Sequence, residues 1–478
     1  QKRRTKATIA KERGLEPLAD ELMKFPKVDI AQIASKYINT EKGVESVEDA
    51  LAGARDILAE RFADDASIRD QLRKLSRREG KIVTAVKNAE KDEKQVFEMY
   101  YEYEEPVNRI VPHRILAINR GEKEDVLRAS ITVPVERAVQ MMENKWIPKN
   151  FTSGAVTHIK EAIADSYKRL IEPSIEREIR AELTEKAEAQ AIHIFSENLR
   201  NLLLQPPIRG KMVLGVDPAY RTGCKLAVVD ETGKMLEVTA IYPHPPKPDV
   251  AKSKAVVKSL LKKYPISIIA IGNGTASRET EQFIADTLKE IENDIAYVIV
   301  NEAGASVYSA SDVARAEFPD LQVEQRSAVS IARRLQDPLS ELVKIDPKAV
   351  GVGQYQHDVS QKQLAESLTF IVETAVNQVG VDVNTASASL LQYVSGLSKT
   401  VAENIVNARA EGGKFTSRAQ LKKIPRLGAK TYEQAIGFLR IPEAKNPLDA
   451  TGIHPESYKL AEQILEIAGV TKKDVGTK

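Results

Sequence analysis

Cysteine is almost absent: Cys224 is the single thiol in 478 residues. That excludes an internal disulfide framework and fits a reducing, cytoplasmic setting. Long apolar runs are missing too. Ile266-Ser-Ile-Ile-Ala-Ile271 falls far short of the ~18 residues of a membrane span, so no membrane partner is expected. The start, Gln1-Lys-Arg-Arg-Thr-Lys6, has no apolar core after its charges and is not a signal peptide. It also lacks an initiator methionine, so a fragment of a longer chain is expected. No zinc spacing joins His158, His193, His244 and His357, and neither a Walker Lys-Ser/Thr pair nor a dinucleotide fingerprint is present. No cofactor and no metal are therefore expected. The net charge of +2 decides nothing until it is resolved by region.

What is present is an ordinary globular composition, 42% apolar and 29% charged, with length for about three or four domains. Residues 1–207 read as a helical region with few strand-like runs. Apolar residues recur there at three and four, as in Ile192, Phe195, Leu199 and Leu202. Pro173-Ser174 is the expected start of the last long helix and Pro206-Pro207 its end. The cations Arg69, Arg73, Lys74, Arg77, Arg78 and Lys81 read as a solvated helix face, with a nucleic-acid patch as the alternative.

From 208 to 350 the texture changes. Strands are expected at 211–216, 223–229 and 234–242, then alternating helices and strands: helix 252–263, strand 266–271, helix 278–291, strand 295–300, helix 329–342. An antiparallel meander followed by βα units is the plan of an RNase H-like domain. A connecting helix, 351–380, ends at Gly380. Short helices with glycine turns fill 381–441, and 442–478 reads as the start of one more small helical domain.

Asp217 ends the first of these strands. Two-metal phosphodiester cleavage needs several carboxylates around two Mg²⁺ ions about 4 Å apart. The place for a second acid, at the end of the fourth strand, holds Asn273, whose neutral amide removes a charge those ions need. Glu279, Glu281, Asp312, Asp337 and Asp346 are the other candidates, although Asp337-Pro338 also suits a helix break. A nuclease fold kept as a scaffold, with no catalytic residues, is one reading. A Mg²⁺-dependent, structure-selective nuclease using Asp217 is the alternative. Gly272-Asn-Gly-Thr-Ala-Ser277 suits a plain strand-to-helix turn or a phosphate cradle. Cys224 reads as a buried small hydrophobe.

The strongest functional signal is a repeat. Shifted by thirty residues, Val394-Ser-Gly-Leu-Ser-Lys-Thr-Val-Ala-Glu-Asn-Ile-Val406 lies on Ile424-Pro-Arg-Leu-Gly-Ala-Lys-Thr-Tyr-Glu-Gln-Ala-Ile436. Each copy reads as helix, tight turn, helix: a tandem helix-hairpin-helix. Ser417 and Gln420 have the spacing of a capping box between the copies. The first amides of a second helix have no internal partner and, with the helix dipole, favour phosphate. The expected nucleic-acid-binding residues are Gly396, Leu397, Ser398, Lys399 and Thr400 in the first copy. In the second they are Arg426, Gly428, Ala429, Lys430 and Thr431. From Asp382 to Arg440 nine cations face four acids, an excess of +5. Such contacts grip RNA or DNA through phosphates and carry little base specificity. Each copy has only half of the expected glycine pair: Gly396 with Ser398, and Arg426 with Gly428. A helical packing module with a basic face is the bland alternative.

In this order the parts resemble the bacterial Tex family of transcription accessory proteins. The phrases that carry the resemblance include Lys2-Arg-Arg-Thr-Lys-Ala-Thr-Ile-Ala10, Ser196-Glu-Asn-Leu-Arg-Asn-Leu-Leu-Leu204, Gly215-Val-Asp-Pro218 with Arg221-Thr-Gly-Cys-Lys225, and Ile241-Tyr-Pro-His-Pro245. Asn301-Glu-Ala-Gly-Ala-Ser-Val-Tyr-Ser309, Gly353-Gln-Tyr-Gln-His-Asp358, Gly380-Val-Asp-Val-Asn-Thr-Ala-Ser387 and Asn446-Pro-Leu-Asp-Ala-Thr-Gly-Ile-His-Pro455 continue it along the whole chain. The resemblance implies a multidomain, mainly α fold with one α/β RNase H-like domain of the RuvC/YqgF type, generally taken as non-catalytic. It also implies further helices upstream and a C-terminal OB-fold RNA-binding domain that this sequence lacks. RNA polymerase or associated transcription machinery is the implied protein partner. A protein-binding platform is the third functional reading.

Overall fold

The structure is a computed structural model that describes residues 3–150, 152–208, 210–351 and 353–477. Lys2, which opens the first of the phrases above, and residues 1 and 478 at the expected outer limits lie outside the described residues. The chain divides into two compact units, 1–191 with 357–359, and 192–356 with 360–478.

The first unit is helical around a small sheet that the sequence reading passed over. Strands β1 (Lys81–Val86), β2 (Glu102–Pro106) and β3 (Leu127–Thr132) form an antiparallel sheet in the order β2-β1-β3. Ile82 faces Ile131 across one pair and is fully buried. The strands were hard to see because β2 reads Glu-Tyr-Glu-Glu-Pro, with little buried on it. Helix starts follow ordinary capping: Ser46 Oγ accepts from the Asp49 N–H at 3.1 Å and Asp65 from Ile68 at 2.8 Å. Pro173 does not begin a helix. The chain is helical from Ala155, passes through a π turn at Ser166–Ile171, and continues as Glu172–Leu203. A proline normally clashes with the carbonyl four residues back, and the wider π turn before it leaves room.

Of the cations at 69–81, Lys74, Arg77, Arg78 and Lys81 are exposed, as a solvated face requires, but the charges are paired and leave no open anion patch. Arg69 donates to Ser174 Oγ at 3.1 Å, Arg73 pairs with Glu178 at 2.5 Å and Arg77 with Glu182 at 2.6 Å. The partners advance together, one turn at a time, so the two helices run parallel. Lys74, Arg78 and Lys81 pair with Asp70, Glu79 and Glu104. Arg120 grips Asp358 with two donors, which ties 357–359 to this unit.

In the second unit, strands β4 (Met212–Asp217), β5 (Cys224–Val229), β6 (Met235–Ile241), β7 (Ile266–Gly272) and β8 (Ala296–Val300) form one sheet in the order β6-β5-β4-β7-β8. The β4-β5 and β5-β6 pairs are antiparallel; the β4-β7 and β7-β8 pairs are parallel. Alternation splits the core in two. Leu214, Val216, Leu226, Val228 and Ile269 pack under Val257, Leu260, Phe283 and Ile284 from the helices Val250–Lys263 and Ser277–Lys289. Val213, Ala227, Val229 and Ala270 pack on Ala328, Val329, Ile331 and Ala332 of the helix Val323–Gln336. That helix breaks at Asp337, whose carboxylate caps Ser340 N at 3.2 Å, so the expected single helix 329–342 is two. Gly215 faces it, and an added Cβ would overlap the Ala328 carbonyl oxygen.

Backbone cannot yield there as a side-chain tip would. Gly215→Ala is therefore expected to destabilise the chain by about 1–3 kcal/mol, read as a lowered midpoint in chemical unfolding with an unchanged slope. An unaffected midpoint would mean that helix and sheet are not in the contact described.

Candidate nucleic-acid interface

Both hairpins rest on one apolar ladder. Leu391, Val394 and Leu397 in the first copy, and Leu421, Ile424 and Leu427 in the second, are all buried. The turns repeat bond for bond: Leu397 N–H donates to Val394 O at 3.0 Å and Leu427 N–H to Ile424 O at 3.2 Å. Leu397, expected among the contacting residues, is thus an anchor whose side chain is 8% exposed. The first hairpin runs from Ala388–Leu391 to Lys399–Gly412 and the second from a 3₁₀ turn, Arg418–Lys423, to Ala429–Ala435. The capping box at Ser417 does not form, since Gln420 Oε1 takes the Thr416 N–H instead at 2.7 Å.

The half-pairs of glycine have a physical explanation. The first turn position needs positive φ: Gly396 has φ 89° and Arg426, its repeat equivalent, φ 66°. Glycine takes that conformation freely and arginine does so against strain. The second position is a helix cap with extended backbone, which does not require glycine. Ser398 there accepts from Val401 N–H at 3.3 Å, while Gly428 offers no side chain. The N–H groups of Lys399 and Thr400, and of Ala429, Lys430 and Thr431, have no partner among the described residues. Gly396, Ser398, Lys399, Thr400, Arg426, Gly428, Ala429 and Lys430 are exposed, and Thr431 is half-buried.

The two copies hold each other reciprocally. Asn404 in the first donates to Pro425 O in the second at 2.9 Å, and Gln434 in the second donates to Ser395 Oγ in the first at 3.1 Å. Both residues and both acceptors are thirty apart, the repeat length. Residue i touching j while j's equivalent touches i's equivalent is the mark of a two-fold relation. Strand β9 (Val381–Asp382) pairs in parallel with β10 (Leu439–Arg440) and closes the pair.

Three of the nine cations are structural. Arg418 is 1% exposed. Its guanidinium donates to Leu439 O at 2.9 Å, Ile453 O at 2.5 Å, Tyr458 Oη at 2.8 Å and Thr451 O, while its N–H goes to Asp449 at 3.1 Å. It thereby holds the phrase 446–455 against the hairpins. Arg409 donates to Val383 O and Ala386 O, and Arg440 to Val379 O. Lys399, Lys414, Lys422, Lys423, Arg426 and Lys430 remain exposed, against Glu403, Glu411 and Glu433. The surface excess is smaller than the sequence count, but it is gathered at the turns.

At the sheet, the acids proposed to join Asp217 are spoken for. Glu279 accepts from the Tyr220 hydroxyl and Glu281 from that of Tyr297 at 3.3 Å. Asp312 pairs with Arg315, and Asp337 and Asp346 cap turns. Asn273 Oδ1 accepts from the Glu302 N–H at 3.1 Å. The carboxylates nearest in effect to Asp217 are Glu302 and Glu324, which sequence reasoning missed. Glu302 stands two residues past the end of β8, and an acid just beyond that strand was the available signal. Its carboxylate lies over Gly272 and Gly274 and accepts from Gly274 N–H, so it fills the phosphate cradle considered above. Burial, then Glu302 and Glu324, push the Asp217 carboxyl up to about 7. Among the described residues the one His/acid set with metal-ligand spacing is Glu433, His454 and Glu456, also missed. There His454 Nε2 meets Glu433 O at 2.8 Å and Nδ1 accepts from Glu456 N–H at 3.2 Å, so both ring nitrogens are engaged.

Two outcomes follow from these geometries. Arg426→Gly relieves the strained φ, less the extra freedom glycine gains on unfolding, and should raise stability by about 0.5–1 kcal/mol; a fall in the thermal midpoint would count against strain at this turn. Asp217 has a raised folded pKa, so its proton stabilises the fold below the unfolded value near 4, and that stability is lost as pH climbs through about 7. Asp217→Asn should therefore gain on wild type as pH rises from about 4 to about 7, by on the order of 2–4 kcal/mol, and keep that lead above. Parallel unfolding curves across that range would contradict the burial of this carboxyl.

Comparison with known proteins follows the same divisions. Residues 211–336 match the Tex protein YqgF-like domain, 26–195 the Tex central region-like family, 376–440 a helix-hairpin-helix motif and 446–478 an HHH domain. The chain is 61% identical to an uncharacterized protein, YdcI, of Bacillus subtilis, covering 100% of this chain and 66% of that protein. It is 45% identical to the transcriptional accessory protein Tex of Neisseria gonorrhoeae (99% and 62%) and 38% identical to the human S1 RNA-binding domain-containing protein 1 (99% and 53%). It thus spans less than two thirds of the length of each of these relatives. With its central region, its YqgF-like sheet and its hairpin pair matched in this order, the chain belongs to the Tex family.

Proposed function

We propose that this chain is a sequence-nonspecific nucleic-acid-binding scaffold and acts as a transcription accessory factor. The observation that carries the reading is the pair of solvent-facing turns, each with main-chain N–H groups and cations that have no partner among the described residues, locked in a two-fold relation. Two equivalent turns related by a two-fold suit the two antiparallel backbones of a duplex. N–H groups and lysines bind phosphate and not base edges. The relative from Neisseria gonorrhoeae is named for accessory action in transcription, and RNA polymerase or associated machinery is the protein partner this reading carries over.

The RNase H-like domain serves in this reading as a scaffold without catalysis. The Asp217 carboxyl is pushed up to about 7, and the acids expected around it are committed to caps, tyrosines and Arg315. Labelled RNA, DNA and branched junctions incubated with Mg²⁺ or Mn²⁺ should stay intact; cleavage that disappears in Asp217→Asn would reverse this part.

For the hairpins, the test is duplex binding across a salt series. Lys399→Glu with Lys430→Glu should weaken binding at least about tenfold and lower the salt slope by roughly 2, one for each lost phosphate contact. Unchanged affinity and slope would remove the hairpins from the interface.

A further inference from the structure

A second surface in the RNase H-like domain has no part in the hairpin reading. It lies where β5 begins and β6 ends, next to the Asp217 end of β4, since Lys225 pairs with Asp217 and Cys224 with Ile241. A cavity of about 540 Å³ opens there, lined by Tyr220, Arg221, Tyr242, His244, Pro246 and Lys247. That size falls in the range of small-molecule sites, roughly 300–1,000 Å³.

Both tyrosines are exposed, Tyr220 at 39% and Tyr242 at 47%, yet both are held. The Tyr220 hydroxyl donates to Glu279, and its ring meets His244 edge-on with centroids 5.9 Å apart. His244 is buried and its Nε2 meets Thr280 Oγ1 at 2.8 Å, so the ring cannot swing away. Tyr242 has its N–H on Ser253 Oγ at 3.1 Å and its carbonyl on the Asp249 N–H at 2.7 Å. Its ring lies against Gly223, where φ is 79° and an added Cβ would press on the ring at 2.6 Å. Arg221 and Lys247 are exposed and have no ion-pair or hydrogen-bond partner among the described residues.

Fixed aromatic faces beside free cations form the chemistry that binds unpaired bases: the ring stacks on the base and the cation takes the adjoining phosphate. A duplex hides its base faces and does not fit. We infer that this slot holds one unpaired nucleotide of a single strand, its base stacked at Tyr220 and Tyr242 and its phosphate on Arg221 and Lys247. The inference shares its ligand class with the hairpin reading but uses other residues, so the two fail separately.

The probe is a short single strand carrying one 2-aminopurine, whose fluorescence falls on stacking, read beside an unlabelled duplex on the whole chain. Tyr220→Ala with Tyr242→Ala should weaken strand binding and quenching about tenfold or more, with duplex binding unchanged. Arg221→Glu with Lys247→Glu should weaken strand binding likewise without touching buried structure, and Tyr242→Phe should retain it. Lys399→Glu with Lys430→Glu should leave the quench in place. The slot is refuted if the quench survives loss of both rings, or if strand and duplex binding fall together in the charge-reversed pair. It is refuted equally if a proline-rich peptide binds through these tyrosines and the strand does not.

Discussion

Each hairpin bends at a single residue that must take positive φ, two positions after a buried Val or Ile and one before a buried Leu. That constraint governs the rest of the region. With the leucine fixed inside, the cap and the first turn of the next helix have nowhere to go but outward. Their unpaired N–H groups then face solvent by construction. Gly396 satisfies the constraint at no cost; Arg426 satisfies it under strain and brings a charge to the surface in exchange. The second hairpin is therefore the less relaxed and the more basic of the two.

The sheet obeys a different constraint, close approach. Gly215 admits the helix Val323–Gln336 to the face of β4, and that helix brings Glu324 toward Asp217. The same helix carries buried Arg326 and Arg334, which bind the carbonyls of Ser309 and Phe318, and of Asn301 and Ala303. Its polar side chains thus fix the loop that carries Glu302. At this sheet end Glu302 and Glu324 act on Asp217, while Glu279, Glu281, Asp337 and Asp346 are turned toward tyrosine hydroxyls and caps.

Much of this was legible in the sequence, for identifiable reasons. The five strands of the large sheet announce themselves through alternation and dense Val and Ile, and the repeat by a thirty-residue shift. The small antiparallel sheet was missed because Glu102–Pro106 buries little and reads as polar. Pro173 misled because a π turn, invisible to periodicity, lets a helix run on through it. Arg418 counted as surface charge because no sequence rule reports that the carbonyls of Leu439, Thr451 and Ile453 and the hydroxyl of Tyr458 surround it. Glu302 was overlooked because its role depends on Gly272 and Gly274 beneath it, which lie 55 and 57 positions after Asp217 in the chain but at the end of the neighbouring strand in the sheet.

Asn404 and Gln434 have one more implication. Because each copy anchors the other's bend, the distance between the two bends is set by the protein and is not adjusted to whatever it meets. In the function proposed for it, the pair works as a fixed-span caliper for two backbones, indifferent to the letters between them.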